Sequence, residues 1–406
     1  MKYTKAALYV DFLTALFFLT YGVKTLDAQC VTYFSEQLIE GLHFTTAQYS
    51  SLSALYWLSY AISAIAIGLV TRKTGKRKAL LAPSVCLAGI VAFFTSAACN
   101  YFELALCRFL SGLCLGACQS MMLALIAKNL VRNDYGARSG VVNCGSAIIG
   151  STIGPILIAQ ITKFGSWKTS FLLTGGMFLL CGICTAFFVR EVSFEIMPVV
   201  DTQPKRSTAF KALLSNHNFV LCLCIGMLET MAKICISVFL PLYYSDTMGL
   251  DALTKGWFLS LMGLSFIPAS LLVPVIADRL PIKGVLITAF ILSAISPAAA
   301  VFLSGSEMST WLLAIFGAWP AATVPLFIYL IPRYSLPEHL QGVANGIIMG
   351  TSVFIGGCIA PTALGMLADA GYSIVFLMGL CLIALVACVV LSCLIRSETK
   401  IAAVNN

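Results

Sequence analysis

The chain has few charged side chains for its length. Only 10% of its 406 residues are Asp, Glu, Lys or Arg, whereas 59% are hydrophobic and the mean hydropathy is +0.94. Soluble domains carry about 25% charged residues. This scarcity of charge excludes an ordinary water-soluble domain and indicates an integral membrane protein.

Histidine is also rare, and no catalytic signature accompanies it. The three histidines, His43, His217 and His339, fall at or near the ends of predicted helices or in loops. The sequence contains no His-Glu-x-x-His and no Gly-x-Ser-x-Gly, and the fragment TGKR at 74–77 lacks the first glycine and the Ser or Thr of a phosphate-binding loop. We therefore expect no enzyme, no ATP-driven pump, no cofactor and no metal site.

Most of the sequence consists of long apolar runs. A helix needs about 20 apolar residues to cross the hydrocarbon core, and open sheets do not survive in lipid. The sequence therefore predicts an all-α membrane protein with twelve transmembrane helices, at 6–31, 46–70, 79–99, 102–128, 138–162, 168–190, 217–243, 254–277, 284–304, 309–331, 339–366 and 372–395.

The basic residues predict how the chain is oriented. Nineteen of the 25 Lys and Arg residues lie in the two tails and the even-numbered connections, whereas the odd-numbered connections contain only Lys163, Lys168 and Lys255. The positive-inside rule then places both termini in the cytoplasm, as expected for a multi-pass protein of the inner membrane. This distribution accounts for most of the net charge of +8, so no nucleic-acid partner is needed to explain it.

An internal repeat divides the chain into two groups of six helices. The long polar connection at 191–216 separates a bundle at 1–190 from a bundle at 217–406. A shift of 206 residues without gaps aligns similar residues at both ends of the register. The aligned pairs are Gly68 with Pro274, Lys73 with Arg279, Gly136 with Gly342, Gly140 with Gly346, Gly150 with Gly356 and Pro155 with Pro361. Six helices per half predict a parallel repeat.

Two loops carry a family resemblance. The stretch GLVTRKTGKRK at 68–78 resembles the signature loop of the major facilitator superfamily, and PVIADRLPIKG at 274–284 resembles its second copy. CRFLSGLCLG at 107–116 further resembles the organic-anion branch, of the anion:cation symporter type. The resemblance implies a 6+6 helix plan and secondary transport by alternating access. Leu115 stands where sugar-acid members of that branch carry glutamate.

The resemblance also implies a conformational role for the signature loops. The family uses the acid of the loop for charge contacts that hold one conformation closed, yet the first copy here has Arg72 in that place while the second keeps the acid. We expect this latch to be missing in the N-terminal half. The positions that correspond to the signature are Gly68, Arg72, Gly75, Arg77, Asp278 and Arg279.

Small residues at helical spacing predict close packing between helices. Gly112 with Gly116, Gly150 with Gly154, and the series Gly342, Gly346 and Gly350 each place glycines on one helix face. Such faces allow two backbones to approach closely. The pattern fits a moving bundle and static packing equally well.

Five charged residues lie inside predicted spans: Lys24, Asp27, Arg108, Glu229 and Lys233. Such residues are costly in lipid and usually face a polar cavity or one another. The resemblance implies that helices one, four, seven and ten line the cavity, and these helices carry all five. Spacing predicts an ion pair of Lys24 with Asp27, with Tyr21 a turn below, and another of Glu229 with Lys233.

The count leaves Arg108 without a partner, so we expect it to bind an anionic substrate through its planar fork. The resulting site has Arg108, Lys24, Lys233 and Tyr21 as substrate-binding residues, and Asp27 and Glu229 as proton-coupling residues. Two alternatives stay open. The ion pairs are purely structural, or Arg108 extends to the membrane interface, since it lies only about 9 Å along the helix from its outer end.

These features together predict a secondary active transporter for a small carboxylate-type organic anion, proton-coupled and working as a symporter. The alternative function is a proton-driven exporter of amphipathic, drug-like compounds, and a receptor with a transporter fold is a further class. The expected partners are the anionic substrate, the proton and the lipid bilayer, and we expect a monomer.

Overall fold

The computed structural model describes residues 2–129, 135–164, 166–190 and 212–396. Within these ranges the chain forms twelve helical segments long and apolar enough to cross a membrane, which confirms the all-α prediction. The segments, numbered here as spans 1 to 12, are Ala7–Tyr33, Thr46–Ile67, Lys78–Ala97, Tyr101–Asn129, Arg138–Ile161, Trp167–Phe188, His217–Thr247, Ala252–Ala277, Ile282–Phe302, Glu307–Ser335, Val343–Asp369 and Ile374–Leu394.

Contacts divide the chain into two compact units. The first comprises Met1–Pro198 with Leu250–Leu264, and the second comprises Val199–Gly249 with Ser265–Asn406. The first half of span 8 therefore groups by contact with the N-terminal spans. In the first unit, the Lys255 ammonium lies 2.7 Å from a carboxylate oxygen of Glu36 on the short helix Ser35–Ile39. Most of the predicted linker at 191–216 lies outside the described residues.

Local sequence signals explain where several spans begin and end. Span 2 begins after a capping box, in which Thr45 and Gln48 bond to each other's backbone N–H groups. Asn100 and Ser306 cap spans 4 and 10 through their side-chain oxygens. The helix Thr46–Thr74 ends at Gly75, whose φ of 67° is the left-handed conformation that favours glycine.

Several equivalent elements of the two halves are 206 residues apart in the structure. The helices that start at Thr46 and Tyr101 are matched by helices that start at Ala252 and Glu307. Spans 5 and 11 both change from α- to π-helical hydrogen bonding midway, over Ser146–Ile153 and Ser352–Ile359, and these two segments are also 206 positions apart. The observed elements thus follow the register of the predicted repeat.

Glycines in the π-helical segments meet a neighbouring span at equivalent places. A Cβ on Gly150 would lie 2.5 Å from the Thr25 side chain of span 1, and a Cβ on Gly356 would lie 2.5 Å from the Met231 backbone nitrogen of span 7. Only glycine fits at such an approach. Gly346 and Gly350 differ, because a Cβ on either would meet nothing within 4 Å. The predicted close packing is therefore wrong for these two glycines.

Candidate substrate site

The centre of the site is a buried ion pair between span 1 and span 4. Arg108 donates from Nη2 to Asp27 Oδ1 at 3.1 Å and from Nη1 to the Asp27 backbone oxygen at 2.9 Å. Each side chain is 1% exposed. The prediction that Arg108 lacks a partner is therefore wrong, and so is the alternative that it extends to the interface. A guanidinium has enough donors to bind the carboxylate and the backbone carbonyl together.

Aromatic rings and unpartnered polar atoms surround this pair. The guanidinium carbon lies 5.1 Å from the ring centre of Phe171 and 5.9 Å from that of Tyr56. Arg108 Nε, the Tyr56 hydroxyl and the Ser111 hydroxyl are buried and have no hydrogen-bond partner among the described residues. Buried polar atoms are rarely left unpaired, so these three are candidates to meet a ligand.

Two glycines bring span 2 against span 4 beside the ion pair. A Cβ on Gly112 would collide with the Ser59 hydroxyl and the Tyr56 carbonyl oxygen, and one on Gly116 would collide with the Tyr60 carbonyl oxygen. The predicted close approach is confirmed at both positions. It places Tyr56 and Tyr60 next to the face of span 4 that carries Arg108.

Lys24 occupies an aromatic cage rather than a salt bridge. Its ammonium lies 4.8 Å from the ring centre of Tyr21 and 4.6 Å from that of Tyr60, and it donates to the Tyr60 hydroxyl at 3.5 Å. No carboxylate of the described residues lies within 4 Å of it. The expected ion pair of Lys24 with Asp27 is therefore wrong, because Asp27 is already bound by Arg108.

The buried charges of this site do not cancel. Lys24 and Arg108 carry two positive charges, and Asp27 carries one negative charge, while Lys24 is only 6% exposed. A desolvated cation attracts an anion strongly, and the tyrosine rings compensate only part of its lost hydration. Within the described spans of the first unit, the site therefore holds one surplus positive charge.

The second unit contains the other predicted pair. Lys233 Nζ lies 3.2 Å from Glu229 Oε1, one helical turn away on span 7, which confirms this ion pair. Glu229 is fully buried and also accepts a hydrogen bond of 3.0 Å from Thr230, whereas the Lys233 side chain is 28% exposed. The pair is neutral as a whole, so it presents no surplus charge to a substrate.

The signature loops are described only in part. Gly75 ends the helix Thr46–Thr74, with its N–H bonded to the Thr71 carbonyl oxygen at 2.9 Å. Arg279 ends the helix Ala252–Arg279 and is exposed. The side chains at Gly68, Arg72 and Asp278 lie outside the description, and the missing latch in the N-terminal half stays a prediction.

Sequence reasoning missed Tyr56 and Phe171 at this site. One signal was available for Tyr56, because Tyr56 and Tyr60 repeat the four-residue spacing of Gly112 and Gly116. Two helices that carry side chains and glycines at the same four-residue spacing can pack against each other along those faces. Phe171 on span 6 had no such signal, since its position depends on how span 6 packs.

The sequence matches the family model described as Major Facilitator Superfamily over residues 13–361. Among curated proteins it is similar to the multidrug resistance protein MdtG of Rahnella sp. (strain Y9602), with 26% identity covering 79% of this chain and 82% of that protein. It is also similar to the sialic acid transporter NanX of Escherichia coli (strain K12), with 21% identity covering 84% of each.

Solved structures show the same fold at low sequence identity. A bacterial homologue of the human lysosomal transporter Spinster, in an inward-facing and unoccupied conformation, gives a TM-score of 0.74 with 15% identity over 95% of each chain. The nucleoside transporter NupG gives a TM-score of 0.73 with 13% identity, covering 94% of this chain and 98% of that one.

Proposed function

Because the chain belongs to the major facilitator superfamily, and is thus a multi-pass inner-membrane transporter rather than an enzyme, we propose that it moves a small organic anion by alternating access. The proposed substrate carries a carboxylate, and its transport is coupled to protons. The relative named a sialic acid transporter supports this substrate class, because sialic acid is a carboxylate. We further propose that both termini are cytoplasmic and that the protein acts as a monomer.

The surplus positive charge beside span 1 is the observation that carries the proposal. Lys24 is buried in a cage of Tyr21 and Tyr60 and has no acidic neighbour within 4 Å among the described residues. A substrate carboxylate would supply that missing charge. Its second oxygen would find donors in the Tyr56 hydroxyl and in Arg108 Nε, which are buried and unpartnered.

The pair of Asp27 and Arg108 supports the proposal of proton coupling. While Asp27 is ionised it holds the guanidinium through its carboxylate and its carbonyl oxygen. A proton on Asp27 removes the ionic part of that contact and makes the fork of Arg108 available to the substrate anion. The proton and the anion then favour each other's binding, as a symporter requires.

Glu229 is the second candidate for coupling. It is fully buried next to Lys233, and a proton on it would release the Lys233 ammonium. The two sites make distinct predictions for substitution by the amide. Asp27→Asn or Glu229→Gln should abolish uphill uptake while sparing counterflow exchange, at whichever site carries the proton. If both variants still concentrate substrate, this coupling scheme is wrong.

The main experiment is uptake by the purified protein in liposomes, with an inward proton gradient and a panel of radiolabelled acids that begins with sialic acid. Lys24→Gln should raise the half-saturation concentration about thirtyfold, which corresponds to roughly 2 kcal/mol for a lost buried charge partner. Lys24→Arg, which keeps the charge, is the matched control and should lose less. Normal affinity in Lys24→Gln would refute the role of Lys24.

The exporter is the alternative function, and the aromatic cage together with the relatives named as multidrug resistance proteins supports it. The tyrosine rings of the cage would also hold a lipophilic cation once Lys24 is neutral or absent. Efflux of lipophilic cations that Lys24→Gln accelerates, with no uptake of any acid, would favour the exporter. Loss of Arg108 does not separate the two functions, because it leaves the buried Asp27 carboxylate without its partner in either case.

A further inference from the structure

An open apolar groove lies in the second unit, away from the buried charges. It has a volume of 430 Å³, within the range of small-molecule pockets, and is lined by spans 8 and 9 with Trp319 of span 10. Its floor includes Ala269, Val273 and Ala289, which are buried. Leu272 and Leu280 at its rim are 53% and 54% exposed. The groove is therefore open on a surface of the membrane-spanning helices.

Small residues create this groove. Residues with small or absent side chains line it on both spans, with Ala269 on span 8 and Gly284 and Ala289 on span 9. A Cβ on Gly284 would meet nothing within 4 Å. The indole nitrogen of Trp319 is buried and has no hydrogen-bond partner. An apolar groove of this size on a surface that faces lipid can bind a hydrocarbon chain.

Two basic residues adjoin one end of the groove in the sequence. Leu280, Pro281 and Gly284 line that end, and Arg279 and Lys283 are their direct neighbours in sequence. No described carboxylate lies within 4 Å of Arg279 or Lys283, and the side chain of Asp278, which precedes Arg279, lies outside the description. The Lys283 ammonium is bonded instead to a neutral group, the backbone carbonyl oxygen of Cys393 at 2.5 Å.

A helix N-terminus adds to this charge. The helix Ile282–Phe302 begins at the same end of the groove, and no side chain caps it. Its first N–H groups and its dipole favour an anion there. The apolar groove thus ends at a helix N-terminus, next to two residues in sequence that carry basic side chains, and this arrangement suits an anionic headgroup joined to a hydrocarbon tail.

We propose that this groove binds an anionic phospholipid. One acyl chain lies along the groove towards Trp319, and the phosphate is held by Arg279, Lys283 and the N-terminal N–H groups of the helix Ile282–Phe302. Basic pockets between transmembrane helices on the cytoplasmic side bind lipid headgroups in this way. The lipid joins the ends of spans 8 and 9, so its binding stabilises the second unit.

The test is thermal unfolding of the purified, delipidated full chain in detergent, with and without added dioleoyl phosphatidylglycerol. This anionic lipid should raise the unfolding temperature by several degrees, and more than dioleoyl phosphatidylcholine, which has the same chains. The double variant Arg279→Gln/Lys283→Gln should lose that difference. The control Lys76→Gln/Arg333→Gln removes the same charge elsewhere and should keep it.

Gly284→Leu tests the groove itself, because it fills the space and leaves both basic residues in place. It should reduce the shift caused by either lipid. A second readout is the fluorescence of a variant that keeps Trp319 as its only tryptophan. Brominated phosphatidylglycerol in vesicles of phosphatidylcholine should quench it more than the same fraction of brominated phosphatidylcholine, and the charge-neutral double variant should show no such difference.

Three results would overturn the proposal. Equal shifts with the two lipids would mean that the groove holds bulk lipid without selecting the headgroup. An equal loss in the Lys76→Gln/Arg333→Gln control would mean that overall charge, not this site, attracts the lipid. A full shift with glycerol 3-phosphate alone would mean that the ligand is a free phosphate and that the acyl chain contributes nothing.

Discussion

At the scale of single residues, buried charges here pair by donor geometry and not by closeness in sequence. Asp27 lies three positions from Lys24, yet it binds Arg108, eighty-one positions away. An ammonium offers three donors on a flexible stem, whereas the guanidinium fork binds the carboxylate and the carbonyl oxygen of Asp27 together. Lys24 therefore contacts the rings of Tyr21 and Tyr60 and, in the proposed function, binds the substrate.

A double-mutant cycle should show how strongly Asp27 and Arg108 depend on each other. Arg108→Gln leaves a buried carboxylate uncompensated and should destabilise the protein by about 3–5 kcal/mol. Asp27→Asn should cost a similar amount. The double variant Asp27→Asn/Arg108→Gln should be more stable than Arg108→Gln alone, as measured by thermal unfolding in detergent. Additive losses would mean that the two side chains act independently.

The sequence identified the charged residues of the site but only one of their two pairings. Glu229 and Lys233 are four positions apart on one helix, so local geometry determines their contact. The contact of Asp27 with Arg108 depends on how spans 1 and 4 pack, and no periodicity in one sequence carries that information. The expectation that Arg108 has no partner was wrong for the same reason, because it assumed that Asp27 pairs with its neighbour in sequence, Lys24.

At the scale of the elements, glycine contacts are specific to each position. Gly112→Ala should destabilise the protein by about 1–3 kcal/mol, because its Cβ would collide with span 2 and the backbones must separate. Gly176→Ala is the matched control. It adds the same methyl group where nothing lies within 4 Å, and should be neutral or stabilising by up to about 1 kcal/mol. Chemical denaturation of the two variants would measure the difference.

Equivalent glycines of the two halves should behave alike. Gly150→Ala and Gly356→Ala should each lower the unfolding temperature and the transport rate, because each glycine of a π-helical segment contacts the neighbouring span. Gly350→Ala, on the same span as Gly356, faces open space and serves as the control. A lower unfolding temperature and transport rate in only one of the two variants would show that the equivalent glycines have different roles in the two halves.

At the scale of the whole molecule, the orientation of the chain is open to a direct test. Cys99 is exposed between spans 3 and 4, in a connection expected outside. In a background without other cysteines, a membrane-impermeant maleimide should label Cys99 in intact cells. A cysteine introduced as Lys400→Cys should react only after permeabilisation. The reverse pattern would place both termini outside.

The sequence predicted the number of spans and most of their bounds. The expected helix at 102–128 is observed as Tyr101–Asn129, and that at 372–395 as Ile374–Leu394. Hydropathy determines such bounds, because a span must match the thickness of the hydrocarbon core. It contains no signal for the change from α- to π-helical hydrogen bonding within spans 5 and 11, or for the contacts of Leu250–Leu264 with the N-terminal spans.

The paired π-helical segments of spans 5 and 11 also bear on the predicted internal duplication. A π-helical turn arises when one extra residue enters an α-helix without disturbing the contacts on either side. Ser146–Ile153 and Ser352–Ile359 occupy equivalent positions of the two halves, in an alignment without gaps. An internal duplication predicts such equivalent positions. The π-helical segments Tyr243–Thr247 and Leu326–Leu330 have no π-helical equivalent at this shift in the described residues, so they belong to the second half alone.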